Sequence, residues 1–372
     1  MYPLGIDFCE GCTLVQVSDV IPKEVLFRNY FYFSSAIRTL VEHFEDFATE
    51  LVERFGLAPG SLVVELGCND GVFLRPLSAR GMRCVGIDPA TNVVDTIHQP
   101  GIVVVNDFFG ATVAQRTYAT SGAADAIVSS FSFAHIDDMA DVMTGIKTLL
   151  KPDGVFVFEV YYLGIVLDEL QYDMMYHEHM SYYSLASLTT FLARFGMEIF
   201  DVRRLPLRAG TIRYYARNIA SRREPASSHV TELGAYERAH GFDAVQTYLA
   251  YANRVAKTRE DLMTLLGRLK REGRRVIGYG ASGRATTISA FCGIDASHLD
   301  YVVDDAPAKH GFYTPGNHLP IKPWTATEEA WPEYALLFAW SFADEVRKRR
   351  ADYLQRGGQF IVPLPDVRML SA

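Results

Sequence analysis

The first regular pattern in the chain lies at 36–56. There Leu40, Phe44, Phe47, Leu51 and Phe55 recur at helical spacing and predict an amphipathic helix. After the turn at Pro59-Gly60 the pattern changes to short apolar runs rich in Val or Ile, at 62–66, 83–87, 103–105, 126–129 and 155–159. Runs this short predict buried strands, and their alternation with helices or turns predicts a parallel sheet covered on both faces. Extended segments are expected again near 198–202 and 211–216. One or two long helices are expected over 235–272, a stretch rich in Ala, Leu, Glu and Arg. A second strand–helix pattern starts at Arg274, with strands expected at 275–279, 301–303, 335–338 and 359–362. The fold class predicted is α/β, with two doubly wound domains joined by helices. A short, aromatic, irregular piece at 1–35 precedes them, and the expected domain boundaries are 36–222 and 223–372.

A length of 372 residues fits two or three domains at ~100–200 residues each. With 49% hydrophobic and 22% charged residues there is apolar material for more than one core. The net charge of −8, without a Lys/Arg-rich block, argues against a nucleic-acid partner. Small anionic ligands stay open, since helix N-termini bind them whatever the global charge. No stretch is long and apolar enough to span a bilayer. The start, MYPLGIDFCEGC, lacks the basic and apolar regions of a signal peptide. Five cysteines, an odd number, fit a secreted disulfide framework poorly. A cytoplasmic protein with reduced thiols and no membrane partner is the expectation.

Chemistry first appears where the 62–66 strand runs into Glu65-Leu66-Gly67-Cys68-Asn69-Asp70-Gly71, with a helix expected over 72–77. Gly67 allows a tight turn and close approach of a ligand. Asp88 ends the next strand, about 20 residues on, where an acid can hold both ribose hydroxyls. Asp107 and Phe108 follow the third strand and could hold adenine. Glu65 and Asp70 bracket the turn with negative charge, which repels a pyrophosphate and suits a cationic nucleoside such as S-adenosylmethionine. Ser130, ending the fourth strand, joins the cofactor set.

His135 follows the fourth strand, and Tyr176-His177-Glu178-His179 follows the fifth. Loops at these strand ends are where open parallel sheets place ligands. A histidine suits proton abstraction beside a carbonyl, and a tyrosine hydroxyl can donate to the enolate oxygen that forms. His177 is read as structural, and a metal between His177 and His179 as the lesser alternative. Tyr30, Phe31, Tyr32 and Phe33, taken alone, read as core aromatics.

A second turn, Gly278-Tyr279-Gly280-Ala281-Ser282-Gly283, has the dinucleotide spacing Gly-x-Gly-x-x-Gly, with Asp304-Asp305 about 20 residues later. It supports a rival reading, an NAD-dependent oxidoreductase or epimerase acting on a sugar nucleotide.

These motifs occur in one order with several others: Tyr2-Pro3-Leu4, Cys9-x-x-Cys12 with Leu14-Val15-Gln16, Tyr30-x-Tyr32-x-Ser34-Ser35, Ala134-His135 and Thr314-Pro315-Gly316. In this the chain resembles, over nearly its whole length, the sugar C-methyltransferases of deoxysugar biosynthesis, which make branched sugars for antibiotics and surface glycans. The resemblance implies an N-terminal zinc-binding domain, a central S-adenosylmethionine domain and a C-terminal Rossmann-like domain that helps hold a nucleotide sugar, expected to be dTDP-linked. It demotes the NAD reading. His179 resembles the base that removes the proton at sugar C3 beside a C4 ketone, and Tyr176, His135 and Tyr32 match further active-site positions. Expected substrate contacts are Ser34, Ser35, Glu178, Arg208, Arg213, Tyr279 and Arg284. O- or N-methylation is the alternative within the class, and a non-catalytic binding subunit is a third.

Two departures stand out. Relatives carry two Cys-x-x-Cys pairs, and this chain has Cys9 and Cys12 alone, short of the four ligands of structural zinc. A reduced zinc-ribbon-like piece with an incomplete site is therefore expected. Leu207-Arg208-Ala209-Gly210 stands where relatives have a His-Gly-Gly motif, which bears on substrate identity.

Overall fold

The computed structural model describes residues 2–207, 210–221 and 225–372. The helix expected over 36–56 runs Arg38–Phe55 and buries Leu40, Phe44, Phe47, Ala48, Leu51 and Phe55. It stops at Gly56, whose φ of 60° lets its N–H reach back to the Val52 carbonyl. Each of these buried aromatics or leucines contributes about 1.5–3 kcal/mol by leaving water.

The chain divides into two compact units that do not follow the linear boundaries. One is Tyr2–Leu163 with His177–Ala244, the other Gly164–Tyr176 with Val245–Ala372. In the first unit, residues 2–35 carry more regular structure than their sequence suggests. Strands β1 (Ile6–Phe8) and β2 (Val15–Val17) form an antiparallel hairpin.

The main sheet of this unit holds β3 (Leu62–Leu66), β4 (Arg83–Ile87), β5 (Ile102–Val105), β6 (Ala124–Ser130) and β7 (Leu150–Tyr161). A two-residue strand, β8 (Ser181–Tyr182), pairs with β2 outside that sheet, and β9 (Met197–Leu205) and β10 (Thr211–Asn218) complete it. The order is β5-β4-β3-β6-β7-β10-β9. The five strands β3–β7 are parallel, and β10 lies antiparallel between β7 and β9. Counted within the sheet this is 3-2-1-4-5-7-6, a doubly wound sheet whose sixth position is taken by an inserted antiparallel strand. The strand order reverses between β3 and β6, so the ligand crevice belongs at their C-terminal ends. The helix Ser228–Ala239 belongs here too. Its Glu237 accepts hydrogen bonds from the Leu185 N–H (2.7 Å), the Ala186 N–H (3.0 Å) and the Tyr162 hydroxyl (3.0 Å).

Arg213 corrects one expectation. It faces Glu159 across β10 and β7 and is only 2% exposed, so it is not a phosphate contact. Its Nε and a terminal nitrogen donate to one Glu159 oxygen at 2.9 and 2.7 Å, and its other nitrogen reaches Glu50 at 2.6 Å. His43 Nε2 lies 3.0 Å from both Glu159 oxygens, and the guanidinium sits 3.5 Å from the centre of the Phe47 ring. Burial alone would raise the Glu159 carboxyl, but the His43 hydrogen bond and the Arg213 charge hold it below its ordinary value. Arg208 lies outside the described residues.

The second unit holds β11 (Val276–Tyr279), β12 (Val302–Val303), β13 (Ile321–Lys322), β14 (Tyr334–Leu337), β15 (Gln359–Val362) and β16 (Arg368–Leu370). Their order is β13-β12-β11-β14-β15-β16, that is 3-2-1-4-5-6, with the last strand antiparallel. The long helix Val245–Arg271 buries Val255, Thr258, Leu262, Leu266 and Leu269 in this unit's core. Two more expected substrate contacts are structural here. Arg284 holds the buried Asp173 carboxylate at 2.7 and 3.1 Å beside the Trp340 N–H at 2.8 Å, and the Tyr279 hydroxyl donates to Asp305 at 2.7 Å.

Replacing Arg213 by Met leaves the buried Glu159 charge short of its main cation. A loss of about 3–5 kcal/mol in urea unfolding is expected, with the double variant Glu159→Gln/Arg213→Met losing less than the sum of the singles. Unchanged stability in Arg213→Met would return Arg213 to the substrate.

Candidate active site

The cavity of the first unit opens at the C-terminal ends of β3, β4 and β6, where the strand order reverses. It encloses about 1240 Å³, its solvent-open mouth included. Glu65, Gly67 and Asn69 line it from β3, Asp88 from β4, Asp107 and Phe108 from the loop after β5, and Ser130 from β6. Asp70 and Gly71 lie in the same turn without lining it. Gly67 has φ 74°, and a Cβ there would come within 2.4 Å of the Ser132 side chain, so only glycine fits.

The charge of this lining selects the ligand. Asp137, Asp138 and Asp141 add to Glu65, Asp88 and Asp107, with Lys23 as a lining cation already bonded to Asp137 at 3.0 Å. Burial first, then the charges of Asp88, Asp70 and Glu159, push the Glu65 carboxyl well above its ordinary value. Glu65 Oε2, Asp70 Oδ1 and Ser130 Oγ are buried without a hydrogen-bond partner. Such orphans call for a ligand, and the surplus of carboxylates calls for a cation. Asp88 accepts the Asn69 N–H at 2.9 Å and the Ala90 N–H at 2.8 Å, which fixes its carboxylate at the end of β4, the ribose position. Phe108 stands beside it with the Arg28 guanidinium 4.6 Å from its ring centre, and Asp107 is paired with Arg116 at 2.9 Å.

Along another wall lie the aromatic and titratable groups. Residues 30–33 carry no regular secondary structure, yet alternate side chains of 30–32 share a side. Tyr30 and Tyr32 line the cavity with ring centres 6.3 Å apart, and Phe31 between them is 86% exposed. Tyr30, which sequence reasoning left as a core aromatic, donates its hydroxyl to Glu178 at 2.9 Å. Burial raises the Glu178 carboxyl, partly countered by that bond. His135 is stacked between Phe27 (5.4 Å, 5°) and His179 (5.3 Å, 16°). Burial, then the neighbouring His179, lowers His135 to about 3, and its Nε2 has no partner. It is a neutral imidazole with a hydrogen-bonding atom left for a ligand. Tyr161, the last residue of β7, was also missed, and its ring centre is 4.9 Å from that of His179. Its place at the C-terminal end of a central strand was the available signal.

The N-terminal hairpin buttresses the loop that carries His179. The Val17 N–H bonds the Met180 carbonyl at 3.0 Å, and His177 Nε2 lies 2.7 Å from the Pro3 carbonyl, a structural contact. Ser34 lines the cavity and Ser35 does not. Tyr176 falls in the other compact unit. Cys9 and Cys12 sit in the hairpin loop, and no group of three or more His, Cys, Asp or Glu among the described residues could hold a metal ion. Two thiols do not make a structural zinc site.

In the second unit the acid at the ribose position of the glycine-rich turn already has a cation as partner, which Asp88 lacks among the described residues. Asp304 bonds the Ala281 and Ala306 N–H groups, both at 2.8 Å, and the Lys309 ammonium at 2.9 Å. Asp305 is paired with Arg349 and Arg350. This speaks against the dinucleotide reading.

Residues 206–365 match the model of a C-methyltransferase C-terminal domain, and residues 40–202 that of a methyltransferase domain. The C-methyltransferase NovU of Streptomyces niveus is 34% identical over 374 residues, spanning 100% of this chain and 88% of the relative. This chain belongs to the C-methyltransferase family. It is an S-adenosylmethionine-dependent C-methyltransferase. A ubiquinone biosynthesis O-methyltransferase of Burkholderia pseudomallei (strain 1710b) is more distant, 23% identical over 39% of this chain and 68% of its own length. Among solved structures, the glycopeptide N-methyltransferase MtfA complexed with S-adenosylmethionine superimposes with TM-score 0.38, at 14% identity over 51% of this chain and 96% of its own. No described helix is long and apolar enough to cross a membrane.

The lining of this C-methyltransferase fits its cofactor, which supplies an electrophilic methyl group on a sulfonium. Glu65 and the Asp70 side are suited to the cationic amino-acid end, and Asp88 to the ribose. Because burial and neighbouring carboxylates raise Glu65 and a cation reverses that push, cofactor binding should be accompanied by net proton release and should weaken as pH falls. Calorimetry in two buffers of different ionisation enthalpy measures this. Glu65→Gln should abolish the release and weaken binding by about tenfold or more. Binding without proton release in the unaltered enzyme would contradict the assignment of Glu65.

Proposed function

We propose that this C-methyltransferase methylates C3 of a nucleotide-linked 4-keto-6-deoxysugar, as its dTDP derivative, through an enolate formed on the sugar. The observation that carries the reading is that Tyr30 and His135, which line the cofactor cavity, are backed by Glu178 through a hydrogen bond and by His179 through ring stacking. Carbon is a poor nucleophile unless a proton is first removed next to a carbonyl, so a C-methyltransferase needs a base and a stabiliser for the oxyanion. His179 is assigned as the base for the C3 proton. Tyr30, Tyr32 and the neutral His135 are assigned to the sugar and its developing C4 oxyanion, and Tyr176 to the same reaction as the resemblance implies. Glu178, which accepts the Tyr30 hydroxyl, fixes the Tyr30 ring and its oxygen in place on the cavity side. The cofactor, when bound, would supply the methyl group to the C3 carbanion, its S–CH3 bond breaking to leave S-adenosylhomocysteine, and the configuration at C3 can invert.

Proton abstraction is tested apart from methyl transfer. With S-adenosylhomocysteine in place of the cofactor and the sugar nucleotide in deuterium oxide, the enzyme should exchange the C3 hydrogen, as followed by proton NMR. His179→Ala should slow exchange by about 10²–10⁴-fold and Tyr30→Phe by about ten- to a hundredfold. Methylation of the sugar without any C3 exchange would point to O- or N-transfer and end this reading.

A further inference from the structure

The sequence presents Asn69 as a cofactor contact, but its side-chain amide is engaged with the segment that carries the tyrosines. Asn69 Oδ1 accepts the Ser34 N–H at 2.8 Å, and its Nδ2 donates to the Tyr32 carbonyl at 2.9 Å. Asn92, just after β4, repeats the pattern: Oδ1 accepts the Tyr30 N–H at 2.9 Å and Nδ2 donates to the Tyr30 carbonyl at 2.7 Å. Each asparagine thus meets one backbone donor and one backbone acceptor, as a neighbouring strand would. An amide can do both, whereas a carboxylate cannot donate. Asn69 holds a left-handed backbone, φ 50°, a region where asparagine is among the better tolerated residues. Its own N–H is fixed by Asp88. The next residue of the turn adds a contact, the Ser35 N–H to Asp70 Oδ2 at 3.2 Å.

We propose that Asn69 and Asn92 are positioning residues, a two-point amide clasp that holds segment 30–34 along the cavity and so sets Tyr30 and Tyr32 against the reacting sugar. The clasp arms come from the two loops that form the cofactor turn and the ribose position, so cofactor site and acceptor wall are built on one set of hydrogen bonds. Irregular backbone alone would leave the segment free to slide or lift, since Phe31 is turned to solvent and anchors nothing. Asn92 does not line the cavity, which separates its effect from cofactor contact. The catalytic consequence rests on the role given to Tyr30 above, while the clasp itself does not.

The test uses the full-length enzyme. Asn92→Ala removes one arm, and Asn69→Gly removes the other while keeping the left-handed backbone. In both, amide hydrogen exchange over 28–35 should speed up at least tenfold. The S-adenosylmethionine Kd should stay within about threefold for Asn92→Ala, and kcat for methyl transfer should fall about ten- to a hundredfold, the loss of two hydrogen bonds. Asn92→Asp, which keeps the acceptor, should recover part of the rate. Unchanged exchange over 28–35 in both variants would overturn the clasp. Faster exchange with kcat within twofold of the unaltered enzyme would overturn the positioning role. If Asn92→Ala slows turnover but Tyr30→Phe does not, the clasp stands and the role of the Tyr30 hydroxyl falls.

Discussion

Uncompensated negative charge at the C-terminal ends of β3 and β4 is the constraint on which the rest of this site depends. Two buried glutamates on the same sheet show the contrast. Glu159 is matched by Arg213 and His43 and held below its ordinary titration range, so it ties β7 to β10 and is chemically quiet. Glu65, one strand beyond β6, has Asp88 and Asp70 for neighbours and an oxygen with no partner, so it is pushed the other way. A protein bears such a cost where a ligand relieves it, and the ligand that relieves this one is cationic. The same charge pattern repels a pyrophosphate. That explains why the first glycine turn, with the weaker dinucleotide spacing, holds the cofactor site. The second turn, with the better spacing, has its acids paired with Lys309, Arg349 and Arg350.

From that floor the cavity is organised outward. Asp88 fixes Asn69, and Asn69 in turn holds the segment whose alternation brings Tyr30 and Tyr32 to the cavity. On the same wall the His135–His179 stack keeps one imidazole neutral beside another. Aromatic rings, a neutral histidine and a raised carboxyl thus stand together beside the acidic floor.

The central strands were legible because parallel strands buried on both faces read as continuous apolar runs, and β3, β4 and β15 begin and end where the pattern puts them. β1, β2 and β8 were not, since two or three residues carry no period and their pairing is backbone-made. Arg213 misled because a charged residue in an edge-like strand reads as surface, and its partner lies 54 positions away in sequence. Gly164–Tyr176 groups with the C-terminal unit through the Asp173–Arg284 pair, a link no local pattern announces. The first glycine turn, singled out from charge and spacing, does line the cavity. The side-chain duty of Asn69 was not legible, because hydrogen-bond partners at 35 and 37 residues' distance leave no trace in a motif.

The most direct measurement of the central claim is carbon-13 NMR of the product made from S-adenosylmethionine labelled in its methyl group and a dTDP-linked 4-keto-6-deoxysugar. The account predicts a methyl signal bonded to C3 of the sugar, which carries no proton afterward, with one equivalent of S-adenosylhomocysteine formed. A labelled methyl on oxygen or nitrogen, or no transfer by an enzyme that binds the cofactor and this sugar nucleotide, would contradict it.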